Sequence, residues 1–471
     1  MAPTEPSHST AFNTLPIELN KEIAHLLHDH KDIASFKAIC RATRNAIDGD
    51  NFSFWRAKFC EDFARPMNKT NMQLCRQYKE RWRLLRRFVT MKTFPQYQFV
   101  RGHNHNEKAI VRILAGLIND SFAGSAQSGN GNRPHCLNMV RLREFVLNST
   151  LLLGGRRPPA PVAYESPAVH TMLIAVRLMA AHFLLGQAFQ TGSWFALDEA
   201  REAVYAATKF APLFVGPGEE FLHFAWFNHC MNFFRCYMTT PGAGLLYAVM
   251  RGLPASQRPT AWEGPLKPGV SPIGTHWKGT LAHQTYDKLT RFRNNPNSDR
   301  EADQIHTDHY VEDGTLQDLY LGFLSKEEQD TMTWPAKFEN SLHSRRYRDA
   351  AAKKMAARQG KRFTSDVPPD DSIRFEGRGR DIHEDFAASG WLNPLPDQCG
   401  IPGWQRITFM KHDEKDINYI VGNDLWACEG VVLPGGKIMM GRWWYVDNNI
   451  LSGEEYSGPF IFWAVEPPAG Y

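Results

Sequence analysis

The sequence predicts an α+β multidomain chain: a three-helix segment at the N-terminus, an all-helical middle domain, and a C-terminal antiparallel β-barrel or sandwich. Three observations support this. Apolar residues recur at helical spacing from Leu19 onward and again through most of the chain to about residue 250. Pro and Gly then become dense in LPASQRPTAWEGPLKPGVSP, a change of composition that separates domains. Beyond it, short aromatic-rich apolar runs are punctuated by glycines, as in successive strands with bends and bulges.

At 471 residues the chain can hold two or three domains and a sizeable core. Its 43% apolar and 22% charged residues, with 30 Phe and 13 Trp, exclude general disorder. A net charge of +4 is a mild excess without the concentrated basic face of a nucleic-acid binder, so no nucleic acid is expected as a partner. The eight cysteines are dispersed, with no C-x-x-C pair, and read as buried thiols of a reducing compartment. MAPTEPSHSTAFNT has no basic region followed by an apolar run, so no secretory signal is expected. The most apolar stretch, Val169 to Phe189, carries Arg177 and His182 and reads as a buried helix rather than a membrane span. The expected location is intracellular, in cytoplasm, nucleus or both, with no membrane partner.

Residues 1–12 read as a flexible tail and 13–60 as the three-helix segment. Pro16 suits a first helical position and Glu18 the positive end of the helix dipole. Leu19, Ile23, Leu26 and Leu27 follow at i, i+4, i+7 and i+8, one apolar stripe that His28, Asp29 and His30 interrupt. Asp32 can cap a second helix bearing Ile33, Phe36, Ile39 and Cys40. A third is expected from about Arg44 into Phe52, Phe54, Trp55 and Phe59. So small a group of helices cannot bury this much apolar surface within itself, and some of it wants a partner.

Leu15, Pro16, Glu18 and Leu19, then Ile23 and Leu26, then Ile39, Cys40 and Arg41, with Phe54-Trp55-Arg56 beyond, closely resemble the F-box. The position usually Trp or Phe near the end of that motif is Thr43 here. The resemblance implies a Skp adaptor as partner and, through it, a cullin–RING ubiquitin ligase. The adaptor-binding residues it implies are Leu15, Pro16, Glu18, Leu19, Ile23, Leu26, Leu27, Ile33, Phe36, Ile39 and Cys40.

Residues 61–250 are expected as the helical domain. In its first helix Leu74, Tyr78, Trp82, Leu85 and Val89 form the apolar side, and Arg81, Arg83, Arg86 and Arg87 form a basic face read as solvated. His223, His229, Cys230 and Cys236 cluster on one later helix, but no second ligand pair completes a tetrahedral set, so they read as core. His103/His105 and His306/His309 lie in polar segments without matching ligands. No metal and no cofactor are expected.

Residues 251–271 read as a linker and 272–471 as the β domain, with a charged, partly helical insertion at about 294–371. Pro434-Gly435-Gly436 between apolar runs signals a hairpin. Trp277-Lys278-Gly279, Phe375-Glu376-Gly377 and Cys428-Glu429-Gly430 echo one another, as hairpins of one curved sheet would. Arg345-Arg346, Lys353-Lys354 and Lys361-Arg362 read as a solvated basic helix, the alternative being a nuclear-import signal. GIPGWQRITFMK, WACEGVVLPGGKIMMGRWW and YSGPFIFWAVE resemble the C-terminal region of a group of ascomycete fungal F-box proteins, a likeness that implies an architecture without naming a substrate.

The function expected is therefore a non-catalytic substrate receptor of a Skp–cullin–F-box ligase, with an unknown protein target held by the β domain. Trp391, Trp404, Arg442, Trp443 and Trp444 are its candidate recognition residues. Most should fill the core, but Trp443 and Trp444, being adjacent on a strand, face opposite ways, so one lies outside it. Two alternatives stand beside this. One is a ligand-binding or enzymatic β domain with a regulatory box, since a barrel mouth lined by Trp would be a pocket. Yet no nucleophile–base pair is legible, Gly435-Gly436-Lys437 lacks the phosphate-loop spacing, and His383, Glu384 and Asp385 read as a polar bend. The other is an F-box scaffold acting outside a ligase.

Overall fold

The computed structural model describes residues 9–66, 68–89, 104–123, 136–149, 152, 167–186, 197–216, 219–294, 307–325, 372–381, 384–413, 425–445 and 456–465. The chain divides into two compact units, Met1–Leu151 with Glu263–Pro265 and Leu152–Trp262 with Leu266–Tyr471. The helices expected as one domain over 61–250 are thus shared between the two.

The first unit contains α1 (Ser9–Thr14), α2 (Ile17–His25), α3 (His30–Ile39), α4 (Arg41–Asp62), α5 (Asn71–Val89), α6 (Asn104–Asn119) and α7 (Leu137–Asn148). The expected flexible tail over 1–12 already contains the start of α1, whose Phe12 ring packs edge-to-face on Phe36 at 5.4 Å. Ile33, Phe36, Ala46, Ile47, Phe54, Trp55, Phe59, Leu74 and Tyr78 are buried together with Asn20 and Thr43. Helix α4 is broken at Gly49, and Asp50, Asn51 and Phe52 take left-handed φ of 47°, 48° and 60°. Neighbouring helices hold that break: Lys21 of α2 pairs with Asp50 at 3.0 Å and Asn71 Nδ2 of α5 donates to the Asn51 carbonyl at 2.9 Å. Arg81, expected on a solvated face, is buried instead. Its guanidinium lies 5.1 Å from the ring centres of Phe59 and Phe63 and pairs with Asp120 at 2.7 Å.

The second unit combines helices with a closed barrel. Its helices are α8 (Pro167–Leu184), α9 (Leu197–Tyr205), α10 (Phe224–Thr239), α11 (Leu246–Gly252) and α12 (Tyr286–Asn294), with a small hairpin of β1 (Phe214–Val215) and β2 (Phe221–Leu222). The barrel strands are β3 (His276–Leu281), β4 (Gln317–Phe323), β5 (Ile373–Arg380), β6 (Asp385–Pro394), β7 (Gln405–Asp413), β8 (Trp426–Val432), β9 (Ile438–Tyr445) and β10 (Ser457–Ala464). Each pairs antiparallel with the next in sequence and β10 returns to β3, so of the two expected architectures the barrel is the one observed. Strand β4 lies within the expected insertion at 294–371, and the basic pairs between 345 and 362 fall outside the described residues.

Alternation places Trp277, Leu321, Phe375, Phe409, Cys428, Met439, Trp443, Phe460 and Phe462 in one interior cluster. The echo of an apolar residue two before a glycine follows from alternation, which turns both to one face, and at each of these glycines the neighbouring strand leaves no room for a Cβ: it would meet the Phe462 ring at Gly279, the Tyr320 carbonyl at Gly377 and the Met440 carbonyl at Gly430. A Cβ on Gly279 would fall 2.2 Å from the Phe462 ring, and one on Gly390 2.5 Å from Phe409 Cβ. At the expected hairpin, Gly435 and Gly436 take φ of 91° and 67° between β8 and β9.

The outer face of β9 and β10 is covered by α9 and α10. This explains why α10 is buried nearly all round, from Trp226 through Met238. The expected linker also packs within the unit: Trp262 is buried edge-on to His182 at 5.1 Å, and Trp463 Nε1 donates to the Gln257 carbonyl at 2.9 Å. A buried polar knot ties helices to barrel. Asp308, fully buried, accepts from Arg201 Nε at 2.8 Å, Tyr237 Oη at 2.5 Å and Gln284 Nε2 at 3.1 Å. Among the described residues no helix is long and apolar enough to cross a membrane, and the apolar stretch from Val169 is the buried helix expected, with Arg177 and His182 inside.

Candidate functional site

The N-terminal helices sort their apolar residues into two sets. Pro16 is the N-cap of α2, with the helix beginning one residue later than expected. Asn20 is fully buried and its Nδ2 donates to the carbonyls of Phe12, at 3.1 Å, and Leu15, at 3.4 Å, which pins the entry to α2. With Asn20 and Ala24 turned inward, the opposite stripe points away from the core. Leu19 is 49% exposed and Leu26 75%, with Ile23 half-buried between them at helical spacing. Pro16, Ile17 and Glu18 are exposed, and Leu15 and Leu27 half-buried.

Helix α3 is capped by Asp29, not Asp32. The Asp29 side chain accepts from the Lys31 backbone N–H at 2.9 Å, and this bond, with Arg86 beside it, holds the carboxyl below its usual range. Two expected docking residues are corrected here. Ile33, 0% exposed, and Phe36, 6%, form the core that holds α3 down, so they do not present a surface in this fold. Ile39, at the end of the same helix, is exposed. Cys40 is half-buried and caps α4 with Thr43: the Cys40 N–H donates to Thr43 Oγ1 at 3.1 Å, and that hydroxyl donates to the Cys40 carbonyl at 2.9 Å. Thr43, at the position where the resemblance expects an aromatic ring, is buried.

Ile17, Leu19, Leu26 and Ile39 are four of the twelve exposed large hydrophobic residues among those described, gathered within the first 39 positions.

The five recognition residues expected on the β domain are all covered. Trp391, Trp404 and Arg442 are at most 1% exposed, Trp443 3% and Trp444 9%. Alternation does turn Trp443 into the barrel, where its Nε1 donates to the Ala282 carbonyl at 3.2 Å, and Trp444 out. The outward face, however, is not solvent. Arg442 shows why: it donates to Thr208 Oγ1 at 2.9 Å and to the carbonyls of Ala211 at 3.0 Å and Ala206 at 3.1 Å, and lies 5.0 Å from the Trp226 ring centre. Trp404 donates to the Ile401 carbonyl at 2.9 Å and meets Phe224 edge-on. Helices laid over β9 and β10 have converted an outer barrel face into core.

Sequence reading missed a different cluster, at the barrel end where β7 finishes and β8 and β10 begin. Trp426 meets Trp443 at 5.2 Å, Tyr445 at 5.0 Å and Tyr456 at 6.4 Å, and Tyr456 meets Trp443 at 5.4 Å. The His283 ring lies 5.1 Å from that of Tyr310, and its Nδ1 is 3.5 Å from Tyr456 Oη. Lys411 Nζ pairs with Asp381 at 2.8 Å and sits 4.0 Å from the Phe386 ring centre. Burial pushes the His283 imidazole down to about 4, keeping it neutral, and burial with nearby Asp381 and Asp313 pushes the Tyr310 phenol up. Period-two alternation from Cys428 back to Trp426 was the available signal, but it needed the register of four strands to become a site.

The sulfur and imidazole groups considered for metal do not converge. His223 Nδ1 is bonded to the Pro212 carbonyl at 2.8 Å, and burial pushes the Cys236 thiol up to about 11 and that of Cys230 higher, favouring neutral thiols over thiolate ligands. Among the described residues no group of three or more His, Cys, Asp or Glu is placed to hold a metal ion. No protein-family model, curated protein or solved structure matches this chain.

Proposed function

We propose that this chain is an F-box protein acting as the substrate receptor of a Skp–cullin–F-box ubiquitin ligase. The observation that carries the reading is the exposed apolar face of α2 and the end of α3: Leu19, Ile23 and Leu26 on one stripe, with Ile17 and Ile39 also exposed. All of these but Ile17 are among the residues the resemblance implies for adaptor binding, while two others of that set, Ile33 and Phe36, are buried. Burying this face on a helical adaptor stabilises the complex by about 25 cal/mol for each Å² of apolar surface removed from water. On this reading the chain catalyses nothing itself and acts by holding a protein target near the ligase's conjugating enzyme, raising the effective concentration of its lysines.

Leu19→Asp with Leu26→Asp tests it. Both side chains are exposed, so the circular-dichroism spectrum and melting temperature are expected to stay as in the wild type, while co-purification with the Skp adaptor falls at least about tenfold through loss of apolar contact and burial of charge. Adaptor recovery equal to that of the wild type overturns the proposal. Cullin in the same complex identifies a ligase receptor; adaptor without cullin identifies a scaffold.

A further inference from the structure

Helix α2 carries its polar side inward. The apolar stripe of Leu19, Ile23 and Leu26 faces away from the unit, and the side opposite it consists of Asn20, Lys21, Ala24 and His25. Only Ala24 among these is apolar, and it brings no more than a methyl group. The three polar side chains each reach a different neighbour. Asn20 Nδ2 donates to the Phe12 and Leu15 carbonyls. Lys21 Nζ donates to Asp50 Oδ2 at 3.0 Å and to Ser53 Oγ at 3.2 Å, and the Ser53 hydroxyl donates to the same carboxylate oxygen at 2.6 Å. His25 Nδ1 lies 2.6 Å from Glu61 Oε1, its ring centre is 4.6 Å from that of Phe54, and its carbonyl accepts from Lys58 Nζ at 3.1 Å. Lys58, itself buried, also donates to Glu61 Oε2 at 2.8 Å, which fixes the carboxylate that His25 meets.

A seat of this kind has two physical consequences. Hydrogen bonds are directional and apolar burial is not, so these bonds set the rotation of α2 about its own axis. A surface helix ordinarily turns its apolar stripe toward the core; here the bonded polar side takes that place. The seat is also weak. A helix of nine residues is marginal by itself, and the ion pair between Lys21 and Asp50 joins side chains 23% and 65% exposed, where solvent screens it. Elements with little buried apolar surface open at a lower free energy than the core around them.

We propose that Asn20, Lys21 and His25 are positioning residues that latch α2 to α1 and α4 and hold Leu19, Ile23 and Leu26 outward, and that α2 opens as a separate unit when this latch is cut. The latch meets α4 at its break. Asp50, which Lys21 holds, is the first of the three residues there with left-handed φ, and the Ser53 hydroxyl together with Lys21 keeps its carboxyl below the usual range. That the stripe docks an adaptor rests on the function proposed above, whereas the latch does not.

Hydrogen–deuterium exchange of the full chain without adaptor, followed by mass spectrometry, tests the latch. Backbone amides of α2 are expected to exchange at least about tenfold faster than those of α5. Lys21→Met keeps helix propensity and should speed α2 by about threefold, and Lys21→Met with His25→Leu by more than that, with α5 unchanged in both. Lys21→Arg, which retains the charge and the donors, should stay within about twofold of the wild type. If the double variant does not fold, seen as fast exchange in α5 as well, Lys21→Met alone decides. An α2 as protected as α5, latch variants that exchange like the wild type, or Lys21→Arg as fast as Lys21→Met overturns the proposal. With no adaptor present, these outcomes are independent of the Leu19→Asp and Leu26→Asp result, so the latch and the ligase reading fail separately.

Discussion

His182 illustrates how one buried side chain sets an acid limit. Its Nδ1 donates to the Met179 carbonyl at 2.9 Å, its ring lies against Trp262, and burial depresses its pKa from 6.5 to about 4. The folded state therefore keeps it neutral where the unfolded chain would protonate it. Its contribution to stability is complete above pH 6.5 and is lost as pH falls toward 4, because the unfolded state then binds the extra proton. The unfolding midpoint, measured by circular dichroism, is expected to drop across that window, and His182→Gln to flatten the drop without abolishing it, since His283 is depressed in the same direction. A slope unchanged in the variant would show that His182 takes no part. The same distinction separates Phe36 from Leu26. Both are apolar and both are among the expected adaptor-binding residues, yet one is 6% exposed and the other 75%.

Strand β3 depends on a glycine at a place where the sheet is closed. On Gly279 a methyl group would lie 2.2 Å from Phe462 Cδ1 and 2.4 Å from the Ile461 carbonyl oxygen, across the pair that joins β10 to β3. Neither the backbone nor a ring packed in the barrel interior can yield cheaply. Gly279→Ala is expected to destabilise by about 3 kcal/mol in urea unfolding, the upper range for overpacking, whereas Gly252→Ala, with nothing within 4 Å, should change stability little. Much of this element was legible: the Trp277-Lys278-Gly279 echo and the Pro434-Gly435-Gly436 turn encode strand face and hairpin in adjacent residues. Strand β4 was not. QDLYLGF alternates between buried and solvent-facing positions, but it follows the acidic run around Asp308 and Asp313, whose composition reads as an insertion.

Buried polar groups tie helices to the barrel within the second unit. Asp308, from the connection between β3 and β4, faces Arg201 of α9 and Tyr237 of α10; burial, with the carboxylate beside it, pushes the Tyr237 phenol up, and at Arg201 burial works against the charged form while the carboxylate and Tyr237 outweigh it, so both groups stay protonated. Removing the carboxylate alone leaves a buried cation. Asp308→Ala is expected to cost about 3 kcal/mol or more, and Asp308→Ala with Arg201→Met to recover part of that loss, as measured by chemical denaturation. A double variant no more stable than Asp308→Ala would show that the pair is not what joins helices and barrel.

Periodicity and punctuation are properties of neighbouring residues, so the amphipathic stripe of Leu19, Ile23 and Leu26, the break in composition after residue 250, and the strand alternation could be read along the chain. Exposure is a relation between distant residues and could not. Arg442 and Trp444 lie on an outward barrel face as alternation requires, but α9 and α10, more than two hundred residues earlier, cover it, and the interaction surface expected there becomes core. Trp426, Tyr445 and Tyr456 gather at one barrel end only because register brings three strands together. Local sequence encodes which face a side chain takes, and packing of remote elements decides whether that face meets water.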